Sequence, residues 1–403
     1  MARTQRRLSE QPSFAQELRQ RRRAKAARIN RKRLSSGLKR SPFQKLEDRH
    51  LLATVEWDGG GDGNRWHDPL NWVGDTLPGI GDDVVINDPG DLMVTIDAST
   101  EIASVDSGEH LHLVGAELKT SSLIVDELSI DNATFAPNTS GSLSVNVADR
   151  LTIETAASQF MILGQLQVGG DLMLGGGFTL VADGSDRSLQ VVGEANLERT
   201  SLSALNGGTF SMPAVESLRF ESTGINQSLR IEASGVDSRI ELPGLKSLTG
   251  GTHFNADVQV IAEDGGVVDL SEVVAIVDPF AGDVRRRNFE FTASGFGSSI
   301  ELPALTSIVD GSDDERTKVS AFAGGAINAP LLTSAQGTAF IDDGTGNVPA
   351  ERLVSLIDSS IQISGGNATL ADLTQAPGTE FIAQGIAISL PLIETIRRGG
   401  IAI

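Results

Sequence analysis

The side chains best suited to hold a metal ion lie in a short glycine-rich segment. Between residues 58 and 68, four side chains could present oxygens to Ca²⁺: Asp58, Asp62, Asn64 and Asp68. Calcium prefers several carboxylate and carbonyl oxygens on a flexible loop. The spacing departs from the EF-hand loop, because Trp66 stands where the third acidic or amide ligand belongs. We favour side-chain turn bonds between tight glycine turns and expect no cofactor, with calcium as the alternative.

A second pair of candidate metal ligands is His110 and His112. They flank Leu111, so in a strand both side chains would point to one face, but the sequence places no third ligand beside them.

The chain has no cysteine, which excludes disulfides, thiolate metal sites and a cysteine nucleophile. It also lacks the nucleophile-elbow, zinc-protease, P-loop and dinucleotide-binding motifs. We therefore assign no catalytic residue.

A cationic cluster, Arg285-Arg286-Arg287, interrupts an otherwise acidic region near Asp283 and Glu290. Carboxylate pairs hydrolyse glycosides, and some parallel β-helices are polysaccharide lyases or hydrolases whose sites combine carboxylates with Arg or Lys. This cluster supports the enzymatic alternative. The other interpretation, which we favour, is a solvated loop.

The net charge of −20 is divided between two opposite segments. Residues 1–49 carry 12 Arg and 4 Lys against 4 acidic residues, whereas residues 50–403 carry 17 basic and 49 acidic residues. An acidic body repels nucleic acid, whose binding requires neutralised phosphates. We expect no nucleic-acid partner.

The basic segment has few large apolar residues and is predicted to be disordered. Three interpretations compete: a solvated tail, a targeting extension and a nucleic-acid arm. A secretory signal needs about 7–15 apolar residues after its basic start; none occur between Met1 and Arg49, and 51–53 is too short. No stretch of the chain approaches the roughly 20 apolar residues of a membrane helix.

A short apolar phrase recurs along most of the chain. Copies begin every 20 to 32 residues, at Leu123, Leu143, Leu166, Leu189, Met212, Leu242, Leu270, Leu302, Ala329, Ala350, Leu370 and Leu390. A repeat of this length indicates a solenoid, because one unit cannot bury its apolar face alone. Alternating apolar residues and frequent glycine turns favour strands over helices. A leucine-rich horseshoe is the nearest rival, but its Asn or Cys ladder position is missing.

Proline occurs early in several copies of the phrase. Because proline lacks an N–H for the ladder, we predict that five prolines are corner residues stacked along one edge: Pro213, Pro243, Pro303, Pro330 and Pro391. At about 4.8 Å per turn, the stack would rise roughly 50 Å. The predicted fold is all-β, a parallel β-helix (β-solenoid) over residues 101–403.

The end of the basic segment carries a motif over 46–53. The stretch Leu-Glu-Asp-Arg-His-Leu-Leu-Ala resembles the L-E-x-R-x-L-L-A motif found near the start of many large planctomycete proteins. The matching residues are Leu46, Glu47, Arg49, Leu51, Leu52 and Ala53. The resemblance implies that 1–53 is a sorting leader and that the protein is secreted or lies at the cell surface.

All three tryptophans fall within 16 residues: Trp57, Trp66 and Trp72. Because each buries roughly 150–250 Å², we predict a hydrophobic structural cap over 54–100. The pattern W-x-G-G-G-D-G-x-x-W-x-D-x-x-N-W, followed by P-G-x-x-D-D-V-V-I, resembles the opening of β-helical modules in planctomycete surface proteins and some autotransporter-like passengers.

These patterns predict an extracellular or cell-surface structural, adhesin-like protein without catalysis. The alternative is a polysaccharide lyase or hydrolase of the parallel β-helix type. Expected partners are extracellular polysaccharide or other surface proteins. The sequence stops soon after the copy at Leu390, without a polar cap, which predicts end-to-end self-association at the C-terminus or a longer gene product.

Overall fold

The structure, a computed structural model, describes residues 53–402 except 140, 313, 366–367, 385–386 and 394–399. The leader lies outside the described residues apart from Ala53. This includes five residues of the sorting motif: Leu46, Glu47, Arg49, Leu51 and Leu52.

The described chain is all-β, with long parallel sheets, as the sequence predicts. The largest, sheet 1, contains a row of twelve strands: Thr54–Glu56, Asp83–Ile86, Ser104–Val114, Ser122–Asp131, Ser144–Glu154, Gln165–Val168, Ser188–Val191, Thr209–Ser211, Arg239–Glu241, Val267–Asp269, Ser299–Glu301 and Ala326–Asn328. Two further strands extend it: Met93–Ile96 pairs with Ser104–Val114, and Asp171–Gly175 pairs with Ser144–Glu154.

Two more long parallel sheets are formed by strands that alternate along the chain with those of sheet 1. Sheet 2 contains Gln159–Ile162, Thr179–Asp183, Ser201–Leu205, Gln227–Ser234, Ala256–Glu263, Phe289–Ser294, Thr317–Phe322, Thr338–Asp342, Ser360–Ile363, Glu380–Ala383 and Gly400–Ala402. Sheet 3 contains Ser217–Arg219, Ser247–Thr249, Ala275–Val277, Ser307–Val309, Ser334–Gln336 and Ser355–Ile357.

The remaining described elements are short. Three strands form one small sheet, Thr100–Glu101, Glu117–Thr120 and Thr134–Pro137, and two form another, Ala368–Thr369 and Ile388–Ser389. Pro69–Asn71 is one turn of 3₁₀ helix, capped by the Asp68 side chain.

From Thr209 to Asp342 the chain visits the three sheets in a fixed rotation: sheet 1, then sheet 3, then sheet 2. Each strand pairs in parallel with the strand one rotation later. The repeated phrase spans one corner of this rotation. Ile240 and Glu241 end a strand of sheet 1, the next four residues form a turn, and Ser247–Thr249 is a strand of sheet 3.

The predicted corner prolines lie in these turns. In the copies from Met212 onward the fourth residue of the turn donates its N–H to the carbonyl of the first, as Leu245 does to Leu242 (3.1 Å) and Leu305 to Leu302 (3.0 Å). In five of these copies proline occupies the second position, where its fixed φ suits the turn and no N–H is needed. The prediction that these prolines lie in turns is confirmed; that they stack along one edge stays a prediction.

The core consists of apolar side chains in register on successive strands. In sheet 1 one such row runs without a break: Val55, Val84, Val105, Leu123, Val145, Leu166, Leu189, Phe210, Ile240, Val268, Ile300 and Ile327. In sheet 2 a second row contains Leu202, Ile231, Val260, Phe291, Val319, Phe340, Ile361 and Phe381. Apart from the partly buried Val55, the side chains of these rows are buried, and their removal from water stabilises the sheets.

The connections from sheet 3 to sheet 2 change length along the chain. Four of them contain six to eleven residues: 220–226, 250–255, 278–288 and 310–316. The next two shrink to residue 337 alone and to 358–359. The long connections therefore form a wall along this corner, and the wall ends after residue 316.

Candidate functional site

A groove of about 810 Å³ opens where the wall ends. Its floor is the outward face of Thr338–Asp342, where Ala339 and Ile341 present small or apolar side chains. Phe280 and Arg316 come from the last two long connections, and Gln336 ends the sheet 3 strand Ser334–Gln336. The groove thus results directly from the change in connection length.

The wall above the groove is held by a buried arginine. Arg287 has no exposed surface. Its guanidinium donates to the carbonyl oxygens of Gly251 (3.0 Å), Ala281 (2.7 Å) and Pro279 (2.5 Å), and to Asp278 Oδ2 (3.1 Å). Only Nε of this guanidinium has no hydrogen-bond partner among the described residues. Because burial of an arginine is costly unless its donors are satisfied, the four bonds of the Nη atoms fix how 278–288 folds back on itself.

Asp278 and Asp310 occupy the same position in consecutive repeats, directly after a strand of sheet 3. Burial raises the pKa of Asp278 to about 7, although the charge of Arg287 acts in the opposite direction. Burial also raises the pKa of Asp310, whose carboxylate accepts bonds from the N–H of Ser312 (2.6 Å) and the hydroxyl of Thr317 (2.9 Å). Asp310 thereby ties together the last long connection, as Arg287 ties the one before.

The predicted cationic cluster does not converge on one site. Arg287 is buried, whereas Arg285 binds Asp283 (Nη2–Oδ2 2.6 Å) and lies 5.4 Å from the centre of the Phe254 ring. The hydrogen bond from Arg285 lowers the pKa of Asp283 to about 2. Glu290 is engaged elsewhere, by Lys318. The solvated-loop interpretation was therefore wrong for Arg287, and the arrangement gives no support to a lyase site built on these arginines.

The outward face of sheet 2 carries a row of polar side chains. Arg230, Gln259, Glu290 and Lys318 stand in register on four consecutive strands. Arg230 Nη1 donates to Gln259 Oε1 (3.3 Å), Gln259 Nε2 to Glu290 Oε2 (3.2 Å), and Lys318 Nζ to Glu290 Oε1 (2.7 Å). The row leads to the groove, because Ala339 is the next residue in register after Lys318.

Two oxygens beside this row are buried without hydrogen-bond partners: Oδ1 of Asp257 and Oδ1 of Asn288. Asp257 lies in the strand Ala256–Glu263, and Asn288 directly precedes its partner strand Phe289–Ser294. The two residues are neighbours, because Val258 and Phe289 are partners and the Val258 N–H donates to the Asn288 carbonyl (3.1 Å). Burial raises the pKa of Asp257 to about 6, assisted by the negative charges of Glu290 and Glu315 and opposed by Lys318.

This gives a pH prediction for Asp257→Asn. The unfolded chain loses the Asp257 proton near pH 4 and the folded chain near pH 6, so the residue costs stability as pH rises through this window. Asparagine carries no such proton. Urea unfolding should show that the free energy of unfolding of the variant, relative to that of the parent, rises by about 1 kcal/mol between pH 4 and pH 7. The effect is no larger because Asp257 is partly exposed and solvent screens its charge. Asp126→Asn, an exposed control on sheet 1, should show no such gain; equal gains at pH 4 and pH 7 for Asp257→Asn would contradict the prediction.

The three tryptophans form one buried cluster. Trp57 and Trp66 each pack edge-on against Trp72, with ring centroids 4.9 and 4.8 Å apart. Trp66 and Trp72 are fully buried, and Trp72 Nε1 donates to the Trp66 carbonyl (2.7 Å). The cluster belongs to the same continuous core as the sheets.

A buried asparagine organises the glycine loop above the tryptophans. Asn71 Oδ1 accepts the N–H groups of Gly61 and Gly63, both at 2.9 Å. Its Nδ2 donates to Asp62 Oδ1 (2.8 Å) and to the Arg65 carbonyl (3.0 Å). All four bonding positions of the amide are therefore used, which is the most that an asparagine side chain can make. No site predicted from the sequence includes Asn71, although it follows the loop closely and precedes Trp72.

The candidate calcium ligands lie in this loop. Three of them accept backbone N–H groups: Asp58 from Gly60, Asp62 from Asn64 and Arg65, and Asp68 from Asp62 and Leu70. Asn64 is exposed. These bonds are the side-chain turn bonds that the sequence analysis favoured. Calcium binding stays a prediction.

His110 and His112 lie on one face of Ser104–Val114, with ring centroids 6.3 Å apart. His110 Nε2 lies 2.8 Å from the Ser129 hydroxyl, and burial lowers the pKa of His110. Among the residues that the structure describes, no three His, Cys, Asp or Glu side chains are grouped so that they could hold a metal.

Comparison of the chain with protein-family models, curated proteins and solved structures finds no match. No helix within the described ranges has the length and apolar character needed to cross a membrane.

Proposed function

We propose that the described part of the chain is one parallel β-solenoid, in which each turn from Thr209 to Asp342 adds one strand to each of the three long sheets. The supporting observation is the fixed rotation through sheets 1, 3 and 2, together with the unbroken in-register rows of apolar residues. A solenoid of this kind offers long, regular faces that are built from one short repeat.

The proposed role is that of a structural, adhesin-like module outside the cell. Solenoid faces contact extended polymers or other surfaces over many turns, and the polar row of sheet 2 presents hydrogen-bonding groups at every turn from Arg230 to Lys318. The acidic body keeps such a protein soluble. The resemblance of 46–53 to the planctomycete leader motif supports export.

The leader provides the experimental test. We expect full-length protein with a C-terminal tag to be found outside the producing cell, and a variant lacking residues 1–53 to stay inside. A third chain with Leu51→Asp and Leu52→Asp is the matched control for the motif and should also be retained. Full-length protein that remains in the cytosol with an intact leader would overturn the proposal.

A further inference from the structure

We propose that the groove at the end of the wall binds a neutral oligosaccharide. The inference rests on the proposed surface function and specifies a ligand class for one place on the solenoid. It is carried by three features of the groove: an exposed aromatic ring, side chains with unused hydrogen-bonding groups, and a charge balance that disfavours polyanions.

The exposed ring is Phe280, which leaves 68% of its surface in water. Most phenylalanines in the described chain are buried in the core, so an exposed phenyl at the rim of a groove is the exception. A phenyl face attracts the partly positive C–H groups of a pyranose ring, as it attracts other positive edges. The ring can thus serve as a stacking platform.

Two polar side chains of the groove have unused hydrogen-bonding groups. The Arg316 guanidinium and the Gln336 amide make no side-chain hydrogen bond to the described residues. Both are planar groups with two parallel bonding positions, which match adjacent hydroxyls of a sugar. Lys318 differs, because Glu290 already neutralises it at 2.7 Å.

The charges favour a neutral ligand over an acidic one. With Lys318 paired, Arg316 is the one remaining cation among the described lining residues, which also include the carboxylates of Asp310, Asp314, Glu315 and Asp358. A uronate or sulfated polymer would meet this surplus of negative charge, and the acidic body beyond it, at a cost in free energy. A neutral chain meets no such repulsion.

The floor provides the space. Ala339 stands in register with Lys318, and both face outward. A long side chain at 339 would fill the groove, whereas alanine leaves it open. The volume of about 810 Å³ lies within the range of small-molecule sites.

The test is calorimetric titration of the full-length protein with cellohexaose, laminarihexaose, chitohexaose and hexagalacturonate. We expect at least one neutral hexamer to bind and the uronate to bind at least about tenfold more weakly. Phe280→Ala and Gln336→Ala should each weaken binding about tenfold. Phe296→Ala, which removes a ring that is 93% exposed in a different turn, is the matched control and should leave affinity unchanged.

Thermal unfolding of each variant checks that the fold is retained. Absence of binding by every neutral hexamer, equal binding of the uronate, or an unchanged affinity in both Phe280→Ala and Gln336→Ala would overturn the proposal. The export experiment is independent, so a protein that is exported but binds no neutral hexamer refutes the groove alone.

Discussion

Arg287→Met should lower the free energy of unfolding by about 3–5 kcal/mol, the usual effect of breaking a buried ion pair from one side. Methionine can occupy much of the same space, so the loss comes from polar groups rather than from a cavity. The substitution leaves Asp278 buried without its cation and removes the donors to three carbonyls. Urea unfolding at pH 7.5 measures the effect.

The neighbouring Arg286 offers a matched control, because it is exposed and carries the same side chain. Arg286→Met should change the free energy of unfolding by no more than about 0.5 kcal/mol. Adding Asp278→Asn to Arg287→Met should restore part of the loss, since it removes the unpaired carboxylate. Equal changes in the free energy of unfolding for the two methionine variants would show that the bonds of Arg287 do not hold the connection 278–288 in place.

Asn71→Asp should destabilise the protein by about 3–5 kcal/mol at pH 7 without any change in side-chain volume. The amide nitrogen that donates to Asp62 and to the Arg65 carbonyl becomes a carboxylate oxygen. This oxygen cannot donate, so it repels the Asp62 carboxylate and the Arg65 carbonyl oxygen at a position with no exposure to water. Tryptophan fluorescence reports this unfolding directly, because Trp66 and Trp72 adjoin the loop and every tryptophan of the chain is in this cluster.

Acid should reduce the loss of stability in Asn71→Asp. Below about pH 4 a carboxyl at position 71 takes up a proton and can again donate to Asp62. Asn64→Asp, the same change at an exposed position of the same loop, should have an effect of less than about 0.5 kcal/mol at either pH. A defect in Asn71→Asp that is independent of pH would contradict the assigned donor role.

Most of the strands and turns that could be predicted from the sequence were predicted from the repeated phrase. Copies at Leu242 and Leu302 share spacing, a proline turn and a following strand, and the structure places both leucines in the buried core. The strands of sheet 1 that precede Leu123, from Thr54–Glu56 to Ser104–Val114, were not predicted from the phrase. Their alternation is the same, but longer strands and bulges, such as the one after Ser107, blur the period.

The groove was harder to predict, because it depends on where long connections fold back. Step lengths of 32, 27, 21 and 20 residues do mark the point where the connections shorten. Arg287 looked like one of three solvated arginines, and only its partners distinguish it. A signal was present in the sequence: Ile-Val-Asp recurs at 276–278 and 308–310, placing an aspartate after two apolar residues in successive repeats.

The most direct test of stacked turns is a distance series between nitroxide labels. Backbone bonds link one exposed residue per turn in order: Glu216, Lys246, Val274, Thr306, Thr333, Val354 and Thr374. The chain has no cysteine, so pairs of introduced cysteines label cleanly. With one label at Glu216, a second label at Thr333, Val354 or Thr374 should lie about 19, 24 and 29 Å away, an increase of about 4.8 Å per turn. Distances that do not increase by about 4.8 Å from each of these sites to the next would contradict stacked parallel turns.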